Sequence, residues 1–212
     1  FDCTVKVEHI LRHSDLWGEL AARGCVFVVS AFESVNDAIL ERLDKGHTAA
    51  DAARAVALLR EVGIPIRPSW LPFTPWSSLE DVRDIFAFVT EQDIIANVDP
   101  VQYTIRLLVP KGSLLIGHIE GLGAWDADAQ SYRWHSGLDP LQAELATLVE
   151  RSEGEPIGRV YDALRAAVGM DAIGATALDD VPRLTESWFC CAEPTAVQLA
   201  TVTPEPSRSV RP

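Results

Sequence analysis

The 212 residues are predicted to form an α/β domain in which helices cover a parallel sheet. Two observations predict this fold class. Along about the first 110 residues, short runs typical of strands alternate with segments of helical periodicity, and glycine, proline or capping residues separate them. Because a strand–helix–strand order requires neighbouring strands to run parallel, ligand-binding side chains are expected at the carboxyl ends of the strands.

Four segments are predicted to be strands: residues 4–9, 25–30, 64–71 and 101–109. The second segment, CVFVVS, is an unbroken apolar run with β-branched residues, which is typical of a strand buried on both faces. The third is interrupted by Pro65 and Pro68. The sequence therefore predicts a small sheet of parallel strands in an open or closed arrangement.

Helices are predicted between these strands and after them. Thr48 and Ser78 belong to the residue types that cap helix amino termini, and they precede predicted helices over residues 49–62 and 79–92. Further helices are predicted over residues 35–43, 140–151 and 155–168. Residues 117–134, rich in glycine, tryptophan and aspartate, are expected to form an irregular connector.

Composition excludes several classes of protein. Apolar residues make up 48% of the chain, charged residues 23%, and the formal net charge is −13. A surface so acidic disfavours a general nucleic-acid binder and a binder of anionic membranes, because both need a cationic face. No apolar run is long enough to span a bilayer, and the four cysteines do not form a secreted disulfide pattern. A cytoplasmic location is therefore expected.

The strongest single candidate for a ligand-binding residue is Glu33. It follows the apolar second strand directly and is flanked by Ser30 and Ser34. A carboxylate at the carboxyl end of a parallel strand can accept hydrogen bonds from the hydroxyl or amino groups of a polar ligand. The sequence leaves two alternatives open, since Glu33 could equally be a solvated loop residue or a cap of the following helix.

A second candidate is the adjacent thiol pair Cys190 and Cys191. Neighbouring cysteines can bind a soft metal, form a strained disulfide or relay electrons, and they can also be unremarkable residues of a tail. These alternatives stay open. They define a competing hypothesis of function, in which the chain is a non-catalytic α/β binding module that uses this pair for metal binding or thiol redox exchange.

Several short motifs resemble the C-terminal half of a radical S-adenosylmethionine (radical SAM) domain. They are Glu33-Ser34 after a strand, Lys45-Gly46-His47-Thr48 between two helices, and Glu61-Val62-Gly63-Ile64 at the end of the second helix. The resemblance covers about residues 4–110. The segment CCAEP at residues 190–194 also resembles a radical SAM group named for its Cys-Cys-Ala-Glu-Pro or Cys-Sec-Ala-Glu-Pro ending.

The resemblance implies a fold, two cofactors and a reaction. The fold is a partial (β/α)6 barrel similar to a TIM barrel, of which this chain would contain the last four βα units and a helical C-terminal extension. The cofactors are S-adenosylmethionine (SAM) and a [4Fe–4S] cluster, and a flavodoxin or ferredoxin would supply electrons. The enzyme would cleave SAM to a 5′-deoxyadenosyl radical, which abstracts a hydrogen atom from an unknown substrate.

The resemblance also implies residues that contact SAM. Glu33, Ser30 and Ser34 match the strand end that contacts the ribose and methionine moieties. The remaining matches lie on the next two strands and are Arg67, Trp70 and Gln102.

The chain departs from the family pattern in one respect. Its cysteines lack the CxxxCxxC spacing that holds the cluster, and the first residue is Phe1 rather than methionine. We therefore expect the cluster ligands to precede residue 1. The expected organisation is a barrel portion over residues 1–112, a connector and helical extension over 113–186, and a largely disordered tail over 187–212.

Overall fold

The computed structural model describes residues 1–175 and 178, which form two compact units. One unit contains residues 1–107 together with the described residues from 135 onward, and the other contains residues 108–134. The predicted boundaries at residues 112 and 186 remain predictions. Cys190 and Cys191, with the predicted tail, lie outside the described residues.

A three-stranded parallel sheet forms the centre of the larger unit. Its strands are β1 (Asp2–Thr4), β2 (Phe27–Glu33) and β3 (Ile66–Trp70), and β2 lies in the middle. Cys3 lies opposite Val28. Ser30 lies opposite Pro68. The α/β class with a parallel sheet is confirmed.

Seven α-helices accompany the sheet. They are α1 (Val7–Arg12), α2 (Trp17–Ala22), α3 (Asp37–Arg42), α4 (Ala49–Glu61), α5 (Leu79–Glu91), α6 (Asp139–Arg151) and α7 (Ile157–Ala167) among the described residues. The predicted caps of α4 and α5 are confirmed. Thr48 and Ser78 each accept a hydrogen bond from the third helical residue, whose aspartate side chain in turn accepts one from the cap backbone.

The predicted first strand over residues 4–9 is misplaced, because it shares only Thr4 with β1. β1 ends at Thr4, and α1 begins at Val7, so the second half of residues 4–9 is helical. Val7 and Ile10 are both fully buried, and a spacing of three places them on one helical face. Val5 and Val7, two residues apart, suggested the period of a strand, whereas Val7 and Ile10, three residues apart, follow the period of the helix.

The predicted fourth strand is also wrong in most of its length. Pro100–Thr104 forms a 3₁₀ helix, in which Pro100 provides the fixed φ of the first turn. The side chain of Gln102 accepts a hydrogen bond from the Trp70 backbone nitrogen at 2.9 Å. This side chain thus takes a position at the edge of β3 that a neighbouring strand would occupy. Within the described residues, the parallel pairing of the predicted fourth strand is a single bridge between Phe73 and Arg106.

Helices cover one face of the sheet. Along β2, burial alternates so that Ser30 and Phe32 are fully buried while Val29 and Ala31 are partly exposed. Phe32 packs edge-to-face with Trp70 of β3, and both rings contact Phe88 of α5. The face that carries Ser30, Phe32 and Trp70 is therefore the helix-covered face, and the face with Val29 and Ala31 is less covered.

The smaller unit contains a short antiparallel hairpin. Its strands are β4 (Trp125–Asp126) and β5 (Ser131–Tyr132). Trp125 packs edge-to-face on Tyr132, and the Lys111 ammonium lies 4.6 Å from the Trp125 ring centre. The whole of the irregular connector predicted over residues 117–134 lies in this unit, and part of it forms the hairpin. Across the part of the chain that the structure describes, no helix has the length and apolar character of a membrane span.

Candidate functional site

Glu33 is the last residue of β2 and has an unusual backbone conformation. Its φ is 64°, in the left-handed region that non-glycine residues rarely adopt. The register with β3 shifts between Ala31 and Glu33, as in a β-bulge. Bulges change the direction in which a side chain points, and a costly conformation of this kind often occurs at a functional site.

An ion pair holds the Glu33 side chain. The Lys45 ammonium donates to Glu33 Oε1 at 2.8 Å, and the side chains are only 20% and 12% exposed, respectively. Lys45 lies in the segment that joins α3 to α4. Within the described residues, Lys45 is the one hydrogen-bonding partner of this carboxylate, so the second oxygen can accept from a ligand.

His47 connects the two backbone segments that carry the ion pair. Its ring is buried, with Nε2 lying 3.3 Å from the Phe32 carbonyl oxygen and Nδ1 lying 3.3 Å from the Lys45 carbonyl oxygen. Phe32 immediately precedes Glu33 in β2. Sequence reasoning did not identify Lys45 and His47 as site residues, although both belong to the Lys-Gly-His-Thr motif that carried the resemblance.

The two predicted serines have different surroundings. Ser34 lies beside Glu33, and its Oγ accepts a hydrogen bond from the Asn36 backbone nitrogen at 3.1 Å. Ser30 lies on the helix-covered face, where its Oγ is buried and has no hydrogen-bond partner among the described residues. Ser34 is therefore part of the same strand end as Glu33, whereas Ser30 is buried within the core of the sheet.

The predicted residues of β3 lie on opposite faces of the sheet. Arg67 is adjacent to Val29 in register, and Val29 belongs to the less covered face. The Arg67 guanidinium donates to Asp99 Oδ2 at 2.5 Å and lies 5.9 Å from the Phe27 ring centre. Trp70 is on the helix-covered face, and in the part of the chain that the structure describes its indole nitrogen has no hydrogen-bond partner.

Gln102 has a structural contact in place of the predicted ligand contact. Its Oε1 binds the Trp70 backbone nitrogen, and the residue is buried. The structure thus brings Glu33, Ser34, Lys45 and His47 together at the end of β2. Trp70 lies opposite Glu33 in register on β3, with its side chain on the helix-covered face, and Gln102 binds the Trp70 backbone from the other edge.

The two described cysteines are free thiols on β1 and before β2. Burial, together with the nearby Cys25 thiol, raises the pKa of Cys3 to about 11. Such a thiol is rarely a thiolate near neutral pH and is therefore a poor metal ligand. Over residues 1–175 and 178, no three histidine, cysteine or acidic side chains are grouped as a metal site.

Comparison with known proteins gives a similarity of fold. No family model matches the chain, and no curated protein matches it. A solved structure of the cobalamin-dependent S-adenosylmethionine radical enzyme OxsB with aqua-cobalamin bound has a TM-score of 0.53 and 14% identity, over 72% of this chain. This chain spans only 28% of that structure's length.

A second structure of OxsB, with aqua-cobalamin and S-adenosylmethionine bound, aligns less extensively. The TM-score is 0.39 and the identity 18%, over 46% of this chain and 14% of that one. The first alignment therefore shows that this chain shares a fold with part of a radical SAM enzyme.

The described residues fit the two implied cofactors to different degrees. SAM carries ribose hydroxyls and an amino group, and the oxygen of Glu33 that Lys45 leaves free is an acceptor for such donors. A [4Fe–4S] cluster needs cysteine thiolates, and the described residues provide no such group. Among these residues, the site can bind a polar ligand and does not hold a cluster.

Proposed function

We propose that this chain is the SAM-contacting portion of a radical SAM enzyme and that the carboxyl end of β2 forms part of the SAM site. The observation that carries the proposal is Glu33, a carboxylate held at the end of a parallel strand in a strained backbone conformation. The fold similarity to a radical SAM enzyme supports the same assignment.

The residues of this strand end have distinct roles in the proposal. Glu33 accepts hydrogen bonds from SAM through the oxygen that is not paired with Lys45. Lys45 fixes the direction of the carboxylate through the ion pair. Ser34 and Asn36 fix the turn that follows Glu33. When bound to a reduced [4Fe–4S] cluster, SAM supplies a 5′-deoxyadenosyl radical for hydrogen abstraction.

The remaining parts of the enzyme lie outside the described residues in this proposal. The cluster cysteines come from a segment beyond these 212 residues, because the chain contains no CxxxCxxC motif. The three strands and the Phe73–Arg106 bridge contribute to a partial (β/α)6 barrel. A flavodoxin or ferredoxin acts as the reductant. The cytoplasmic location and the membership of the CCAEP group stay predictions.

The affinity for SAM tests this proposal. The complete protein encoded by the reading frame that contains these residues is reconstituted anaerobically and titrated with SAM by calorimetry. Glu33→Gln is expected to weaken binding at least tenfold, because it removes the charge on the acceptor. Glu41→Gln makes the same chemical change on an exposed position of α3 and is expected to leave affinity unchanged.

Two outcomes contradict the proposal. Absence of SAM binding by the reconstituted protein removes the assignment as a whole. Equal affinity of the Glu33→Gln and Glu41→Gln variants removes Glu33 from the SAM site and leaves the assignment resting on fold similarity alone.

A further inference from the structure

We propose that His47 is a positioning residue that holds Lys45 against Glu33. The effect of His47 on SAM binding rests on the proposed function, because it assumes that Glu33 contacts SAM. The contacts of His47 with the backbone do not depend on that function. In the described part of the chain, the His47 ring makes no hydrogen bond with the side chain of Glu33 or Lys45. It contacts the backbone carbonyl of Lys45 and that of Phe32, the residue before Glu33.

The ion pair joins two segments that are distant along the chain. Glu33 is the last residue of β2, and Lys45 lies twelve residues later, after α3. One hydrogen-bonded contact between two flexible side chains orients them weakly, because holding both in one geometry costs side-chain entropy. A second connection between the same segments reduces this cost by fixing the backbone on each side.

His47 makes that second connection. One ring nitrogen faces the carbonyl oxygen of Phe32, next to Glu33, and the other faces the carbonyl oxygen of Lys45 itself, both at 3.3 Å. His47 is only 8% exposed as a residue, so water does not readily replace these contacts. Both neighbours are carbonyl oxygens, which only accept, so a neutral ring donates to one of them and packs against the other, and a protonated ring donates to both. In either form a single planar ring spans the two backbones whose side chains form the ion pair.

Neighbouring residues restrict where the Lys45-Gly46-His47 segment can lie. Gly46 has a φ of 68°, and a Cβ added there would approach Glu8 Oε2 of α1 to 3.2 Å. Thr48, which follows His47, caps α4 through its capping box with Asp51. The segment is therefore held between α1 and the start of α4, and His47 is the residue that directs it toward β2.

Acylation of lysine measures this positioning without any cofactor. The chain has three lysines, of which Lys6 and Lys111 are exposed and serve as internal references. An ammonium that donates to a carboxylate must leave that contact before its amine reacts. Trace labelling with a succinimidyl acetate, followed by peptide mass spectrometry, is expected to find Lys45 at least tenfold less reactive than Lys6.

Three substitutions at His47 distinguish the effect of its polar contacts on the position of Lys45 from the effect of filling the space that the ring occupies. His47→Leu fills the space without polar atoms and is expected to raise Lys45 labelling at least fivefold. His47→Gln extends an amide to the position of Nε2, keeps the bond to Phe32, and is expected to retain protection within twofold. His47→Asn is too short to reach Phe32 and is expected to resemble the leucine variant. If His47→Leu fails to fold, the comparison of Gln with Asn decides the question.

Two controls complete the experiment. Thr90→Val removes a polar contact between α5 and α7 and is expected to leave Lys45 labelling unchanged. Glu33→Gln is expected to raise it, and adding His47→Leu to that variant is expected to raise it no further. Unchanged Lys45 protection in the folded leucine variant, or equal labelling of the Gln and Asn variants, overturns the inference.

The labelling result is independent of SAM, so the two proposals fail separately. Loss of SAM binding by the wild type leaves the labelling pattern intact and contradicts only the proposed function. If SAM binds, His47→Leu is expected to weaken its affinity about as much as Lys45→Met does. A leucine variant that releases Lys45 and still binds SAM normally overturns the link between the positioning and the site.

Discussion

At the scale of single residues, the site depends on how one carboxylate is held. Glu33 combines a left-handed backbone, a register shift and a partner on another segment. Conformations of this kind cost about 1–3 kcal/mol and persist when surrounding contacts impose them. Here those contacts come from Lys45 and from Ser34, whose backbone nitrogen bonds Phe32. The direction of Glu33 is therefore a property of the whole strand end.

Removal of the Glu33 charge is expected to destabilise the fold. In the variant Glu33→Gln, the poorly exposed Lys45 ammonium loses its carboxylate, and the expected cost lies between that of exposed and buried pairs, at about 1–3 kcal/mol. Urea unfolding measures the change. The double variant Glu33→Gln/Lys45→Met is expected to recover part of it, because no unpaired charge remains. A double variant no more stable than the single one contradicts this account.

The Cys3 thiol is expected to react slowly with alkylating reagents. Burial, followed by the influence of Cys25, raises the pKa of Cys3 from 9.0 to about 11. At pH 8 the thiolate fraction is then roughly a hundredfold smaller than that of an ordinary cysteine. Iodoacetamide labelling resolved by peptide mass spectrometry measures the rate. Reaction as fast as that of a model peptide contradicts the described environment of this residue.

At the scale of elements, the sequence predicted the helix caps but did not predict the tertiary contacts. Thr48 and Ser78 predicted the starts of α4 and α5 because a cap and its partner lie within three residues of each other. The predicted fourth strand failed because Gln102 binds β3 with its side chain, a contact across 32 residues. The periodicity of a short segment cannot indicate a contact with a residue so distant along the chain.

The same distinction applies to the candidate site. Glu33 could be predicted from its position after an apolar strand, a local feature of the sequence. Its pairing with Lys45 and the bridging role proposed for His47 depend on how the segment before α4 returns to β2. The signal present in the sequence was the Lys-Gly-His-Thr motif, which marked the segment without indicating what it contacts.

The capping box of α4 is expected to make stability depend on acid pH. A hydrogen bond from the Thr48 backbone lowers the pKa of Asp51 below 3.8, with further help from the Thr48 hydroxyl and Arg54. Because the folded pKa lies below the unfolded one, the stabilisation is complete above the unfolded pKa and is lost as pH falls through the folded pKa. Asp51→Asn is expected to cost about 1 kcal/mol at neutral pH.

Urea unfolding at several pH values checks this dependence. The difference in stability between the wild type and Asp51→Asn is expected to shrink as the pH falls from about 5 to about 2. Exposed Asp15→Asn serves as the control with no capping role. A difference that stays constant across this range contradicts the assigned contribution of Asp51.

At the scale of the whole molecule, the helical extension belongs to the same compact unit as the sheet. Tyr161 of α7 packs with Phe86 of α5 and with Tyr103, which stacks on Phe86 at 4.5 Å between ring centres. The Tyr161 hydroxyl donates to the Phe86 carbonyl oxygen at 2.7 Å. The aromatic contacts extend the core from the sheet-covering helix α5 to the C-terminal helix α7.

Loss of this aromatic contact is expected to destabilise the entire unit. Tyr161→Ala removes a buried ring and is expected to cost about 3–5 kcal/mol, whereas Tyr161→Phe removes only the hydroxyl and is expected to cost about 1 kcal/mol. Hydrogen exchange of the β2 amides is expected to accelerate with the loss of global stability in the alanine variant. If only the α7 amides exchange faster, α7 unfolds separately from the sheet.

Formation of 5′-deoxyadenosine is the direct measure of whether this protein cleaves SAM as a radical SAM enzyme does. The complete protein, reconstituted with iron and sulfide under anaerobic conditions, is incubated with SAM and dithionite, and the product is quantified by liquid chromatography. 5′-Deoxyadenosine is expected to form only when both SAM and the reductant are present, and its yield is expected to fall at least tenfold in the Glu33→Gln variant at limiting SAM. A protein that carries a reduced [4Fe–4S] cluster and forms no 5′-deoxyadenosine would contradict the proposed function.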